Sequence, residues 1–297
     1  MPRLSVIIAS VNGLKCIAET LEALERQPER PDAEVIVVDR CGGDTAEAVH
    51  RHFPDVRLIP VPSNTGIPAM RAAGVRASTG DIITITEDHC IAPPDWFAQI
   101  LRAHETSGHA AIGGTVENGA VDSLVDWSVF FCEYTHCMGP IPAGVVDGIP
   151  GNNASYQRWA LNKCRDVLEA GVWENFLHDA LRARGVPLFS VPSIVLYHKK
   201  SFGVLEFLGQ RYHYGRSFAA MRTARAPWRT RLFYTLASPA LPALLLPRMV
   251  GRALSKKRFL KEFTLSLPLL ALYTVSWAAG EFCGYLLGPG RSLEKVE

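Results

Sequence analysis

Over the first hundred residues, short uninterrupted apolar runs alternate with stretches in which apolar residues return every three or four positions. The run LSVIIAS (4–10) is rich in β-branched residues and is closed by Asn12-Gly13, the pattern of a buried strand that ends in a turn. IAETLEALERQ (17–27) then sets Ile17, Leu21 and Leu24 on one face at helical spacing, with Pro28 to end it. AEVIVVDR (33–40) predicts a second buried strand, and in the following CGGDTAEAVHRHF a glycine turn leads into a helix with Asp44 as its N-cap. VRLIPV (56–61), IPAMRAAGVRAST (67–79) and DIITIT (81–86) predict a strand, a helix and a strand. Such alternation predicts an α/β fold: a mostly parallel, doubly wound sheet flanked by helices.

In sheets of that kind, ligands bind where the loops converge beyond the carboxyl ends of the strands. Ser10, Asp39 and the trio Glu87, Asp88, His89 occupy those ends. Three ionisable side chains closing a buried strand lose hydration that something must restore: a metal ion, a cationic ligand, or water at an exposed loop. No GxGxxG follows the first strand, which argues against a dinucleotide-binding oxidoreductase. Carboxylates gathered around a divalent metal suit a diphosphate ligand.

The 297 residues suffice for one large domain or two modest ones, and the net charge of +2 conceals an asymmetry. Residues 201–263 hold twelve Lys or Arg against Glu206 and Glu262, so that segment carries +10 and the remainder −8. Basic charge beside apolar runs, without zinc-finger spacing or aromatic platforms for bases, points to an anionic membrane surface and away from nucleic acid. Residues 232–247 are uncharged, but sixteen helical residues reach only about 24 Å against a hydrocarbon core of roughly 30 Å, and Pro239, Pro242 and Pro247 interrupt them. Residues 263–287 are long enough to cross, with Glu281 as their internal charge. The connector from Arg248 to Lys261 is strongly basic and belongs on the cytoplasmic side. A single crossing by 263–287 is therefore expected, with an interfacial anchor and a two-span hairpin as the alternatives. The seven cysteines form no CxxC pair, which implies neither a disulfide framework nor a zinc knuckle and fits a reducing compartment. Cys132, His136 and Cys137 stand in the apolar SVFFCEYTHC and are expected to pack in the core. No secretory signal is expected at the start, because residues 4–9 run straight into polar turn residues.

LSVIIASVNG, VIVVDRCGGDT and NTGIPAMRAAGVRASTGDIITITEDHC resemble, in order and spacing, the nucleotide-sugar-binding half of a family 2 glycosyltransferase of the GT-A fold, over residues 4 to 100. IPGNNASYQRWAL (149–161), VWENFLHDALRARG (172–185) and QRYHYGRSF (210–218) resemble its acceptor half. The resemblance implies that Asp39 bonds the base of the nucleotide, that Ser10 lies in the loop cradling it, and that Arg71 and Asp88 stand at the diphosphate. It further implies that Glu87, Asp88 and His89 replace the family's metal-holding DxD, and that Glu174 accepts the proton of the acceptor hydroxyl. Asn152 and Asn153 would lie beneath the sugar, while His178, one turn beyond Glu174, could tune or replace it. An imidazole in the metal set favours manganese, with magnesium as the second choice.

The chain departs from the family pattern at three places: Ala9 stands where Pro is usual, Arg40 replaces the second acid of an Asp-Asp pair, and His89 takes the place of the last Asp of DxD. Gln210, His213 and Tyr214 lack the Arg and Trp of the Q-x-x-R-W element of processive synthases, so processivity is not implied. The expected function is inverting transfer of a sugar from a nucleotide-sugar donor to a hydroxyl acceptor, lipid-linked or an envelope glycan, by a membrane-associated enzyme with a cytoplasmic catalytic domain. The rival is a non-catalytic membrane-bound protein of the same fold that binds nucleotide sugars or acts as a scaffold. A nucleotidyltransferase would need a glycine- and lysine-rich phosphate loop, which the sequence lacks. The organisation expected is a catalytic domain over 1–200 (nucleotide-sugar half 1–100, acceptor half 101–200), a basic interfacial segment over 201–231 and membrane-associated helices over 232–290. Donor sugar, base, acceptor, linkage and oligomeric state depend on shape that periodicity does not encode.

Overall fold

A computed structural model describes residues 2–28 and 30–297. Among them the strands are β1 Leu4–Ser10, β2 Ala33–Asp39, β3 Val56–Pro60, β4 Ile82–Glu87, β5 Cys90–Ile91, β6 Ala111–Asn118, β7 Gly144–Val146, β8 Ala154–Gln157 and β9 Leu188–His198. The α-helices are α1 Leu14–Glu25, α2 Gly43–His52, α3 Ile67–Ala77, α4 Trp96–Ser107, α5 Leu124–Tyr134, α6 Arg158–Lys163, α7 Arg165–Glu169, α8 Glu174–Ala183, α9 Val204–Arg222, α10 Trp228–Ala237, α11 Leu241–Lys256 and α12 Leu260–Leu287. The chain divides into two compact units, residues 1–119 with 137–199 and residues 120–136 with 200–297.

The first unit holds the sheet, in the order β3-β2-β1-β4-β8-β6-β9-β5, with β7 paired to β9. All seven residues of β1 are buried, as an uninterrupted β-branched run between two parallel neighbours requires. Ile7 lies level with Ile36 of β2 and Ile85 of β4. Helix α3 comes so close to this strand that a Cβ on Gly74 would stand 2.3 Å from Cγ2 of Ile7, so only glycine fits there. On the other face, Ile17, Leu21 and Leu24 of α1 join Trp96, Phe97 and Ile100 of α4 in one core cluster.

The parallel run expected from the βα alternation extends from β3 to β4 and then gives way to a mixed sheet. β8 runs antiparallel to both β4 and β6, β6 runs parallel to β9, and β5 and β7 run antiparallel to β9. The expectation for Asp44 is corrected: Gly42 is the N-cap of α2, at φ 63°, and Asp44 lies in the first turn. A positive φ favours glycine at the cap, and the acid still meets the positive end of the helix dipole.

The second unit is helical. A single 3₁₀ turn, Ser238–Ala240, joins α10 to α11, so the helical path continues from residue 228 to 256 despite three prolines. Pro239 falls in that turn and Pro242 in the first turn of α11, where no intrahelical N–H is lost; Pro247 alone lies inside α11. Helix α12 is 28 residues long and is the one described helix with the length and apolarity to cross a membrane.

Candidate active site

The site is assembled at the carboxyl ends of the first unit's central strands. Parallel pairing of β1 and β4 sets Ala9 beside Glu87, so the turn after β4 lies against the loop after β1. Asp88 in that turn is fully buried. Its Oδ2 accepts from the backbone N–H groups of Val11 (2.7 Å) and Asn12 (2.8 Å), and its Oδ1 accepts from Nδ2 of Asn12 (2.7 Å). Burial opposes its charge, but hydrogen bonds from His89, Asn12 and Val11 outweigh that and lower its pKa.

Directly after this turn, β5 pairs antiparallel with β9, and the register puts Cys90 opposite His198. Lys199 N donates to the carbonyl of His89 at 2.9 Å. The two imidazoles consequently meet with their Nε2 atoms 3.0 Å apart and their rings nearly perpendicular. Oε2 of Glu87 lies 3.4 Å from Nε2 of His89, while Nδ1 of that ring lies 2.9 Å from Oδ1 of Asp88. Burial disfavours a charged His89, yet hydrogen bonds to Asp88 and Glu87 and their negative charge raise its pKa to about 9. Glu87 responds in the opposite direction: burial opposes its charge, but His89, Arg71 and His198 bring its pKa down to about 2.

A second set of contacts extends this cluster toward α8. Arg71, buried on α3, donates from Nη2 to Glu87 Oε1 (3.1 Å) and from Nη1 to Glu174 Oε2 (2.9 Å). Asn152 donates from Nδ2 to Glu87 Oε2 at 3.2 Å. Glu174 opens α8 and lies close under the preceding loop: a Cβ on Gly151 would stand 2.6 Å from its Cδ. Glu87, Asp88, His89, Arg71, Asn152 and Glu174 are thus joined in one network, with His198 added.

The remaining expected residues are placed differently. His178 is buried on α8, its Nε2 2.6 Å from the hydroxyl of Tyr156, and burial lowers its pKa to about 4, so it faces the core as a neutral ring. Asn153 is also buried and committed to the scaffold, donating to the carbonyls of Thr115 and Ile194 and accepting from Trp96 Nε1. Asp39 lies level with Ser10 in the β1–β2 ladder, and its carboxylate accepts from the N–H groups of Cys41 (3.2 Å) and Gly42 (2.8 Å), shaping the turn that caps α2. Ser10 Oγ is buried without a hydrogen-bond partner among the described residues. Arg40 reaches the carbonyl of Thr65 at 3.2 Å, tying the end of β2 to the loop before α3.

His198 and Asn12 were not foreseen as site residues. The signal for His198 was present in SIVLYHKK, an apolar run ending in an ionisable residue just as ITITEDH does. In the sequence Asn12 reads as a turn residue, and its contact with Asp88 spans 76 positions.

These side chains offer a donor set for a divalent cation. Nε2 of His89 lies 3.0 Å from Nε2 of His198 and 3.4 Å from Oε2 of Glu87, spacings that match the edges of a coordination polyhedron with bonds of about 2.0–2.2 Å. Cys90 completes a compact group with Glu87 and His89, but burial and the Glu87 charge raise its pKa well above the usual range and keep it a thiol. Glu87, His89 and His198 therefore fit a divalent ion of the manganese-to-zinc series better than magnesium, which prefers an all-oxygen shell.

The family model for glycosyl transferase family 2 matches residues 5–160, more than half of the chain. Among curated proteins, the glucosyl-dolichyl phosphate glucuronosyltransferase of Haloferax volcanii is 30% identical over 120 residues, 38% of this chain and 38% of its own length. The succinoglycan biosynthesis protein ExoO of Rhizobium meliloti is 29% identical over 110 residues, 36% of this chain and 31% of its own. The matched segment thus spans only about two fifths or less of these relatives. Among solved structures, the mannosyltransferase PcManGT of Pyrobaculum calidifontis, in complex with GDP-Man and Mn2+, matches with a TM-score of 0.58 at 21% identity, over 92% of this chain and 86% of its own. S. aureus TarS 1-349 matches with a TM-score of 0.53 at 13% identity, over 95% of this chain and 91% of its own. At those identities the likeness is one of fold.

Proposed function

The chain belongs to glycosyl transferase family 2, and from that premise we propose that it is an inverting, metal-dependent glycosyltransferase that moves a sugar from a nucleotide-sugar donor to a hydroxyl acceptor. The observation that carries this reading is the convergence of Glu87, His89 and His198 beside the Arg71–Glu174 pair on one edge of the sheet. Glu87, His89 and His198 hold the divalent ion, with manganese favoured over magnesium. Asp88 binds the donor indirectly, by fixing the loop that carries Val11 and Asn12. Asp39 and the unpartnered Ser10 Oγ receive the nucleoside, and Arg71 faces the diphosphate. Asn152 bonds the sugar, and Asn153 and His178 support that pocket from behind.

Glu87, His89 and His198 would hold the cation, whose charge would offset that of the departing nucleoside diphosphate. Arg71 adds a second, fixed positive charge beside it. Glu174, held in place by Arg71 and by the absence of a side chain at Gly151, accepts the proton of the attacking hydroxyl. The acceptor is proposed to be lipid-linked or an envelope glycan; the dolichyl phosphate and succinoglycan in the names of two relatives support this, as does the apolar α12. The catalytic unit works at the cytoplasmic face of the membrane.

A panel of nucleotide sugars, each with and without manganese, tests the reading. The right donor raises the melting temperature in a metal-dependent way and is consumed when acceptor is added. Donor binding without transfer or hydrolysis would identify a non-catalytic binding protein instead.

A further inference from the structure

The outward face of α12 is its apolar face. Its exposed positions Leu265, Pro268, Leu272, Val275, Ala279, Phe282 and Leu286 recur every three to four residues, and no exposed position from 264 to 287 is charged. The buried face is the one that carries Ser266, Tyr273, Thr274, Glu281 and Tyr285. A helix facing water shows the opposite arrangement. The inward polar groups are answered within the unit: Trp277 Nε1 and the Tyr285 hydroxyl donate to Glu281, and Arg222 donates to the Tyr285 hydroxyl. The apolar exposure continues on α10 and α11 through Phe233, Leu236, Leu244 and Leu254, more than solvated helices leave uncovered.

The charges around this face identify what covers it. Arg225 and Arg229 precede the apolar part of α10, Arg248 and Arg252 follow on α11, and Lys257 and Lys261 lie at the turn into α12; all six are exposed. Trp228, 68% exposed, stands at the start of α10, the position that aromatic residues take at a lipid headgroup boundary. Apolar helices edged by cations match an anionic bilayer, which offers hydrocarbon and negative headgroups together.

The packing of α12 also determines how deep it can go. A Cβ on Gly280 would stand 2.2 Å from the carbonyl oxygen of Tyr212, and one on Gly284 would stand 2.3 Å from that of Arg216, so α9 and α12 are in backbone contact. Near its start, α12 packs Phe263 on Phe131 of α5, with ring centroids 5.1 Å apart. The helices α5 and α9 therefore accompany α12 along its inward side, and they carry Asp126, Glu133, Glu206, Arg211 and Arg216, with Arg211 and Glu133 paired at 3.5 Å. A crossing α12 would take those charges into hydrocarbon.

We propose that α10, α11 and α12 form a monotopic anchor that seats the second unit on an anionic bilayer by their outward face, without crossing it. The proposal rests on the membrane association stated under the proposed function, but its test reads placement in the membrane and is independent of sugar transfer.

The first experiment uses the full-length chain in inverted membrane vesicles, whose cytoplasmic face is outward. Ser255→Cys lies in α11 and Arg291→Cys beyond α12, both at exposed positions. Both should react with an impermeant maleimide without detergent, above the baseline set by the seven native cysteines of the parent. Protection of either position until detergent is added means a crossing and overturns the proposal.

The second experiment uses purified full-length chain. It should bind vesicles containing phosphatidylglycerol about tenfold or more tightly than vesicles of phosphatidylcholine alone. The double variant Leu272→Asp with Val275→Asp should lose about tenfold in that binding at an unchanged melting temperature, because both side chains already face outward. Undiminished binding of the double variant overturns the proposal. So does failure to bind vesicles together with a dimer that the double variant dissolves, which would give the face to a second copy of the chain.

Discussion

The two units place their polar groups in opposite ways. In the sheet unit, apolar residues fill the interior and ionisable ones collect at one edge, where Arg71 answers both Glu87 and Glu174, and His89 answers Asp88. In the helical unit, Glu281 and Tyr285 face inward, while Leu272, Val275 and Phe282 face outward. In both, these buried ionisable groups are paired. In the proposed seating on a bilayer, what differs is the medium outside. The contrast shows that the direction of amphipathicity reports what an element borders, and burial alone does not.

The largest effect that would sharpen this comparison lies at the edge of the sheet. Glu174→Gln keeps the size of the side chain and removes the proposed proton acceptor, so transfer should fall by roughly 10² to 10⁴ while donor affinity is retained. Transfer within about threefold of the parent would move the proton acceptor elsewhere.

Next comes the acid sensitivity of the sheet unit. His178 is held neutral at a pKa of about 4 by burial, below the 6.5 of a free imidazole. The unfolded chain then binds a proton that the folded chain refuses, so stability is complete above pH 6.5 and is lost as pH falls through about 4. The loss is up to about 3 kcal/mol. Denaturant unfolding at neutral and acid pH should show this slope, and His178→Gln should reduce it. An unchanged slope would place His178 in water.

His198→Ala should weaken manganese-dependent donor binding by roughly 10- to 100-fold and leave binding of the free nucleoside unchanged, as loss of a group that fixes the ion would. Calorimetric titration with and without metal separates the two, and equal metal dependence in variant and parent removes His198 from the set. In the helical unit, Gly284→Ala should cost about 1–2 kcal/mol, because the new methyl meets the backbone of α9. No loss in thermal unfolding would mean that the two helices are not in backbone contact.

Legibility in the sequence followed the range of the interactions. The first four strands and the helices between them lie within a residue or a few of their expected bounds, because each buries a face whose period is written locally. Beyond β4 the order β8-β6-β9-β5 could not be read, since pairing of β6 with β9 joins residues more than seventy apart and leaves no local mark. The trio Glu87, Asp88, His89 stood out because three ionisable residues close a buried strand. The inward commitment of Asn153 did not, because an Asn-rich turn looks alike whether its amides face a ligand or a buried carbonyl. Similarly, the segment Ala120–His136 groups with residues 200–297 through contacts such as Ser128 with Tyr273, which are 145 positions apart.

The carboxylate of Asp88 bears on which substitutions in this chain would be silent. Every donor around it (the two loop N–H groups, the Asn12 amide and the His89 ring) needs an acceptor. Asp88→Asn is nearly isosteric, but it turns an NH₂ group onto donors whichever way the amide is flipped. At this position, similarity of shape is a poor guide to tolerance: the substitution most often treated as conservative sets donor against donor, and a changed lineage would have to alter Asn12 or His89 as well.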